Sequence, residues 1–192
     1  MGLFDLLAPI YNKIHPDPSG TVAAIRQLAR PSAGDRLLDL GGGTGRVAQQ
    51  FLHHVGEVIV VDASRGMLQQ ARGVEGLRAL RGSADSLPFP DSSLDLVLCI
   101  DALHHFKDHD LALTEVLRVL KPDGRIIVQE FNRWTWAGKM TMFIEWLLRQ
   151  GSKFYSPDEL LEKAAGHGIK ASLHNEKEAR FYLLGTKPRQ QG

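Results

Sequence analysis

The sequence predicts an α/β fold: a doubly wound sheet of seven strands, mostly parallel, ending in a C-terminal antiparallel hairpin. Three observations carry this. Short apolar runs alternate with segments of helical period, the pattern of a parallel sheet covered on both faces. The first apolar run stops in a glycine turn, "LLDLGGGTGRVA" at 37–48. The last two strand-like runs, "IKASLHN" and "ARFYLLGTK", have only a few polar residues between them, too few for a helical crossover.

Taken in order, "FDLLAPIYNKIHP" and "GTVAAIRQLAR" read as two helices, a helical cap over residues 1–30. Strands are expected at 36–40, 57–62, 77–81, 94–100 and 125–131, and helical periodicity fits 44–54, 64–72, 109–119, 139–150 and 157–165. "KPDG" at 121–124 is a turn that ends one helix and launches "RIIVQEF". "SPDEL" at 156–160 starts another, with Ser156 as cap, Pro157 in the first position and acids in the first turn. With 192 residues and no linker or repeat, 1–192 is expected to be a single domain.

Bulk properties exclude several classes. The composition is 43% hydrophobic and 23% charged, that of a globular chain. A net charge of +1 with scattered Lys and Arg leaves no footprint for nucleic acid. Cys99 is the only cysteine, so no disulfide framework exists and a reducing compartment fits. The start, "MGLFDLLAPIYNKIHP", lacks a basic beginning and does not read as a signal peptide, and no apolar run reaches the roughly 18 residues of a membrane span. A cytoplasmic location is therefore expected.

Strand, glycine turn and helix make a nucleotide-binding arrangement, because glycine lets a ligand touch bare backbone and a helix start offers unpaired N–H groups. The spacing is not the dinucleotide GxGxxG. Aligned from Gly41, that pattern puts Arg46 at its last glycine. The fit is Asp39-x-Gly41-x-Gly43-x-Gly45. The second strand, "VIVVDAS", ends in Asp62, about 20 residues on, where an acid accepts from ribose hydroxyls.

With these residues the chain resembles the class I S-adenosylmethionine-dependent methyltransferases, whose fold is Rossmann-like. "GSADSLPF" resembles the family's adenine segment and "SLPFPDSSLDLVLCIDALHHF" its run into and past the fourth strand, while "EVLRVLKPDGRIIVQE" resembles the small-molecule branch that includes the ubiquinone and menaquinone C-methyltransferases. The resemblance implies S-adenosyl-L-methionine as cofactor and S-adenosyl-L-homocysteine as product. It implies that Gly41 and Gly43 admit the methionine portion and that Asp39 organises its amino end. Asp62, with Ala63 beside it, takes the ribose. Met67 lies against the nucleoside, Ala84 and Asp85 hold adenine, and a carbonyl near Ile100 completes the pocket. The family's Tyr-Asp start is replaced by Tyr11-Asn12, and its Glu-Phe-Ser by Glu130-Phe131-Asn132.

Transfer from a sulfonium needs alignment first, and a base only where the nucleophile must shed a proton. "DALHHF" places His104 and His105 beyond the fourth strand as candidate bases. His105 and His109 could share a helix face, but no pair sits in an HExxH frame, so no metal is expected. The acceptor should meet Tyr11 of the first helix and the aromatic stretch 131–155, read as a lid carrying Trp134 and Trp146. The stretch also suits a homodimer contact. The expected activity is C- or O-methylation of a small apolar or aromatic acceptor. The alternatives are a non-catalytic cofactor-binding or regulatory protein, or a protein or RNA methyltransferase. Neither nucleic acid nor stable membrane insertion is expected.

Overall fold

The computed structural model describes residues 3–14, 18–147 and 152–189. Seven strands form one sheet: β1 (Arg36–Leu40), β2 (Glu57–Asp62), β3 (Leu77–Arg81), β4 (Leu94–Ile100), β5 (Leu120–Phe131), β6 (Lys170–His174) and β7 (Arg180–Thr186). Their order is β3-β2-β1-β4-β5-β7-β6. The first five pair parallel, and β7 lies antiparallel between β5 and β6. The expected fold class and closing hairpin are both present.

The middle strands are apolar throughout because both faces are covered. Leu37, Leu38, Ile59, Val60, Leu96 and Val97 are all inaccessible to solvent. One face packs against α4 (His109–Val119) and α6 (Pro157–Gly166); the other packs against α2 (Ser19–Ala29), Phe51 and Leu68. The chain leaves β1 toward β2 on one side and returns to β4 on the other. That reversal opens a crevice at the carboxyl ends of β1 and β4, the usual ligand position in such sheets.

Helix starts follow local chemistry. Ser156 accepts from the Glu159 N–H at 3.3 Å while Glu159 accepts from the Ser156 N–H at 2.8 Å, a reciprocal cap on α6. Asp108 caps α4, and Ser64 caps α3 (Arg65–Ala71).

Three expectations are corrected. The helix expected at 44–54 shrinks to a 3₁₀ turn at Ala48–Phe51, because Gly45 sits at φ +75° and cannot start a regular helix. The "KPDG" turn is drawn into β5 as an irregularity, with Asp123 at φ +62° and a register shift opposite Leu94 and Leu96. The helix expected at 139–150 begins earlier, as α5 (Trp136–Leu147), and its expected end lies outside the described residues. The first helix is α1 (Leu3–Ile14).

Candidate active site

β1 delivers the chain into a turn whose glycines have φ +73° at Gly41 and +56° at Gly43, conformations that a side chain resists. The two have different neighbours. A Cβ on Gly41 would stand 2.6 Å from Ala102 Cβ, so that glycine permits close packing onto the loop after β4. A Cβ on Gly43 would meet nothing nearer than Met67 Sδ at 3.9 Å and Asp62 Oδ2 at 4.0 Å. Bare backbone at Gly43 therefore faces open space.

That space is a cavity of about 430 Å³, within the range of small-molecule sites. Gly41, Gly43, Asp62, Ala63 and Met67 form one side. Smaller recesses adjoin it. One, of about 50 Å³, reaches Asp39, Thr44, Arg46 and Ile100. Another, of about 130 Å³, reaches Gly82, Ala84 and Asp85.

The two acids of the motif differ. Asp62 accepts from the Gly43 N–H at 2.9 Å and from the Ser64 N–H at 2.8 Å, locking the glycine turn to the start of α3. Burial raises its pKa, and those backbone donors oppose the rise. Asp39 is 1% exposed, and its Oδ1 has no hydrogen-bond partner. Burial, and then the charge of Asp62, push its carboxyl up to about 7, against the Ala48 N–H and Arg46. A buried acceptor left unsatisfied costs about 1–3 kcal/mol. A ligand ammonium in this recess would satisfy it.

α1 roofs the cavity. Asp5 Oδ1 accepts from Ser64 Oγ at 2.7 Å and from the Gly66 N–H at 2.9 Å, at the start of α3. Pro9 lacks the N–H that would bond the Asp5 carbonyl within the helix. Gly66 packs against that same carbonyl so closely that a Cβ there would lie 2.8 Å from it. At the other end, Thr44 Oγ1 donates to Asn12 Oδ1 at 2.6 Å. Between these latches Phe4 and Tyr11 line the cavity. Burial, then the charge of Asp101, raise the Tyr11 phenol and keep it a neutral donor.

The loop after β4 supplies the remaining wall. Asp101 holds φ +50°, an uncommon conformation for a residue with a side chain. Its Oδ1 accepts from Gln129 Nε2 at 3.0 Å, and its Oδ2 lies 3.4 Å from Arg180 Nε. Thr21 Oγ1 in turn donates to Gln129 Oε1 at 2.8 Å. Burial raises the Asp101 carboxyl despite Arg180.

The adjacent histidines part company. His105 lines the cavity, in edge contact with Phe4 and with Nδ1 3.2 Å from Ser152 Oγ. His104 is 3% exposed and lies outside the cavity lining. Its Nδ1 meets Glu130 Oε2 at 2.6 Å, and its ring stacks on Phe154. A 3₁₀ turn at Leu103–His105 carries both; their rings touch, with centroids 4.0 Å apart, and His105 is the one that reaches the cavity lining.

The residues expected to hold the cofactor thus surround one crevice, with Tyr11 and His105 facing it. Trp134 does not: it is 65% exposed and packs under the Arg133 guanidinium at 4.7 Å. The side chain of Trp146 lies outside the described residues. Sequence reasoning did not assign roles here to Asp5, Ser64 or Asp101. Asp101 alone left a signal, as an acid directly after a strand end.

Residues 38–128 match the methyltransferase domain family. The uncharacterized methyltransferase YcgJ of Bacillus subtilis is 46% identical over 108 residues, 53% of this chain and 43% of that protein. Its crystal structure superposes with a TM-score of 0.62 at 25% identity, covering 90% of this chain and 100% of that one. The ubiquinone/menaquinone biosynthesis C-methyltransferase UbiE of Vibrio cholerae is 42% identical over 115 residues, 55% of this chain and 44% of that protein. The matched segment therefore spans less than half the length of these curated relatives. The [4+2]-cyclase SpnF shares the fold at a TM-score of 0.80 and 19% identity, covering 98% of this chain and 94% of that one. The fold alone therefore does not name the reaction.

Proposed function

We propose that this chain, a methyltransferase domain over residues 38–128, transfers the methyl group of S-adenosylmethionine to a small acceptor held beneath α1. The observation that carries the reading is the open backbone at Gly43 between Asp62 and Met67, flanked by the recess with the unsatisfied oxygen of Asp39. These residues fit the cofactor's chemistry: an acceptor for ribose hydroxyls on one side, a buried carboxylate for an ammonium on the other. When bound, the cofactor supplies a methyl group already activated by a sulfonium.

In this reading Asp62, beside Ala63, accepts from the ribose hydroxyls, while Ala84 and Asp85 border the adenine. Met67 packs on the nucleoside. Asp39, Ile100 and the glycine turn border the amino-acid end. The acceptor has a small apolar or aromatic body, placed against Phe4, Tyr11 and Phe106. His105 is the imidazole in the cavity lining and the group assigned to take a proton from the acceptor. The relatives' names support methyl transfer, and no described helix is long and apolar enough to cross a membrane.

Calorimetric titration tests the reading. S-adenosylhomocysteine should bind with NAD silent, and Asp62→Ala should weaken binding about tenfold or more, since hydrogen bonds to a charged group contribute roughly 1.5–3 kcal/mol. Binding of NAD in place of S-adenosylhomocysteine rejects it.

A further inference from the structure

We infer that the acceptor is an amine, and that Asp101 binds its cationic nitrogen; the inference rests on the methyl-transfer reading above. The cavity's charge pattern points this way. Asp5, Asp62 and Asp101 all line it, and among the described residues its lining contains no Lys or Arg. Two of the carboxylates have other work. Asp5 holds the start of α3, and Asp62 holds the glycine turn and faces the ribose position.

Asp101 remains. Its side chain is 23% exposed, fixed from behind by Gln129 and approached by Arg180 at 3.4 Å. Arg180 is itself drawn over the Phe131 ring, 4.5 Å from its centroid. The carboxyl is raised by burial even with that arginine near, so a second cation on its cavity side would stabilise the charged form. The strained φ of +50° sets the carboxylate at this wall. Phe4, Tyr11 and Phe106 line the same cavity, and the faces of aromatic rings favour a cation over an anion. An anionic acceptor would meet carboxylates without a paired cation, at high cost. A carbon nucleophile would offer Asp101 no donor and a hydroxyl only one neutral donor, whereas an ammonium offers a charged one.

The step balances. An alkylammonium gives one proton to the His105 ring, which passes it to solvent. The freed nitrogen lone pair forms the new N–C bond as the C–S bond breaks, and that bond's electron pair stays on sulfur. The products are a secondary ammonium beside Asp101 and a neutral thioether. Asp101 orients the nitrogen and favours its charged product; His105 removes the proton.

The test uses the full chain saturated with S-adenosylhomocysteine. Phenethylamine and tryptamine are titrated against 2-phenylethanol and phenylacetate, probes of matched body and different charge. An amine should bind at least about tenfold tighter than the alcohol, with phenylacetate silent. Asp101→Asn, which suits the left-handed φ, should lose about tenfold in amine affinity and keep S-adenosylhomocysteine binding within twofold. Equal binding of amine and alcohol, binding of phenylacetate, no amine bound at all, or an unchanged amine affinity in Asp101→Asn overturns the inference. Each of those results, with S-adenosylhomocysteine still bound, leaves the methyl-transfer reading standing. Loss of S-adenosylhomocysteine binding by the unaltered chain would instead sink that reading itself.

Discussion

Two segments outside the parallel sheet approach the carboxyl ends of its strands: α1, and the stretch 131–155 between β5 and α6. Both are rich in apolar residues by sequence. In the folded chain α1 is latched at each end, through Asp5 to Ser64 and Gly66 and through Asn12 to Thr44, and it lends Phe4 and Tyr11 to the cavity. Trp134, Trp136 and Phe143 of the later stretch face outward. Among the described residues, that stretch touches the site at its far end. There Ser152 reaches His105, the Lys153 N–H donates to the His104 carbonyl, and Phe154 stacks on His104. Apolar content did not decide which segment became a wall. Polar latches to the glycine turn and to α3 did.

The largest effect should come from breaking the latch. Asp5→Ala combined with Gly66→Ala removes the acceptor for Ser64 and the Gly66 N–H, and drives a Cβ into the Asp5 carbonyl. A lost helix-start acceptor costs up to about 2 kcal/mol, so S-adenosylhomocysteine affinity should fall about thirtyfold. Alanine at 66 adds helix propensity to α3, worth about 0.5–1 kcal/mol. That gain offsets only part of the lost cap, so the melting temperature of the ligand-free protein should fall by a few degrees. Unchanged affinity by calorimetry would show that α1 is no wall of the site.

A second effect should separate the segments by pH. The recess beneath α1 holds Asp39, whose carboxyl stands at about 7, facing Arg46, Asp62, Asp101 and Tyr11. Its pKa is raised by folding. The ligand-free fold therefore loses stability through this group as pH rises from about 4 to about 7, and is most favoured by it at acid pH. A ligand ammonium needs the charged form, so affinity should fall about tenfold from pH 8 to pH 6. Asp39→Asn should flatten that profile, weaken binding at pH 8, and raise the ligand-free melting temperature at pH 8 more than at pH 5. A pH-independent affinity in the unaltered chain rejects Asp39 as the ammonium's partner.

The comparison also marks what could be read from the sequence. The glycine turn, the acid ending β2 and the closing hairpin are local: a few adjacent residues dictate each backbone path, so spacing alone reveals them. The latch is not local. Asp5 meets Ser64 and Gly66 across 59 and 61 residues, and "FDLL" carries no sign of a partner. His104 and His105 are indistinguishable as letters. Only the 3₁₀ turn, and Glu130 arriving from β5, turn one inward and leave the other at the cavity. The 44–54 segment read as a helix because Val47, Ala48 and Phe51 have helical spacing. The positive φ of Gly45 took its first turn away.

The smallest effect is expected where the sequence pointed to a lid. Trp134 and Trp136 are 65% and 78% exposed, and Trp134 is held by the Arg133 guanidinium, itself paired to Glu159 at 2.8 Å. An exposed cation–π contact contributes about 0.5–1 kcal/mol. Trp134→Ala with Trp136→Ala should therefore lower the melting temperature by only a few degrees. Affinity for S-adenosylhomocysteine, and for phenethylamine in its presence, should stay within twofold, because neither side chain lines the cavity. A selective loss of phenethylamine binding, with S-adenosylhomocysteine unaffected, would mean that this stretch folds over the acceptor once both ligands are present. The contrast between the two segments would then hold only for the ligand-free chain, with α1 the wall for the cofactor and the tryptophans the wall for the acceptor.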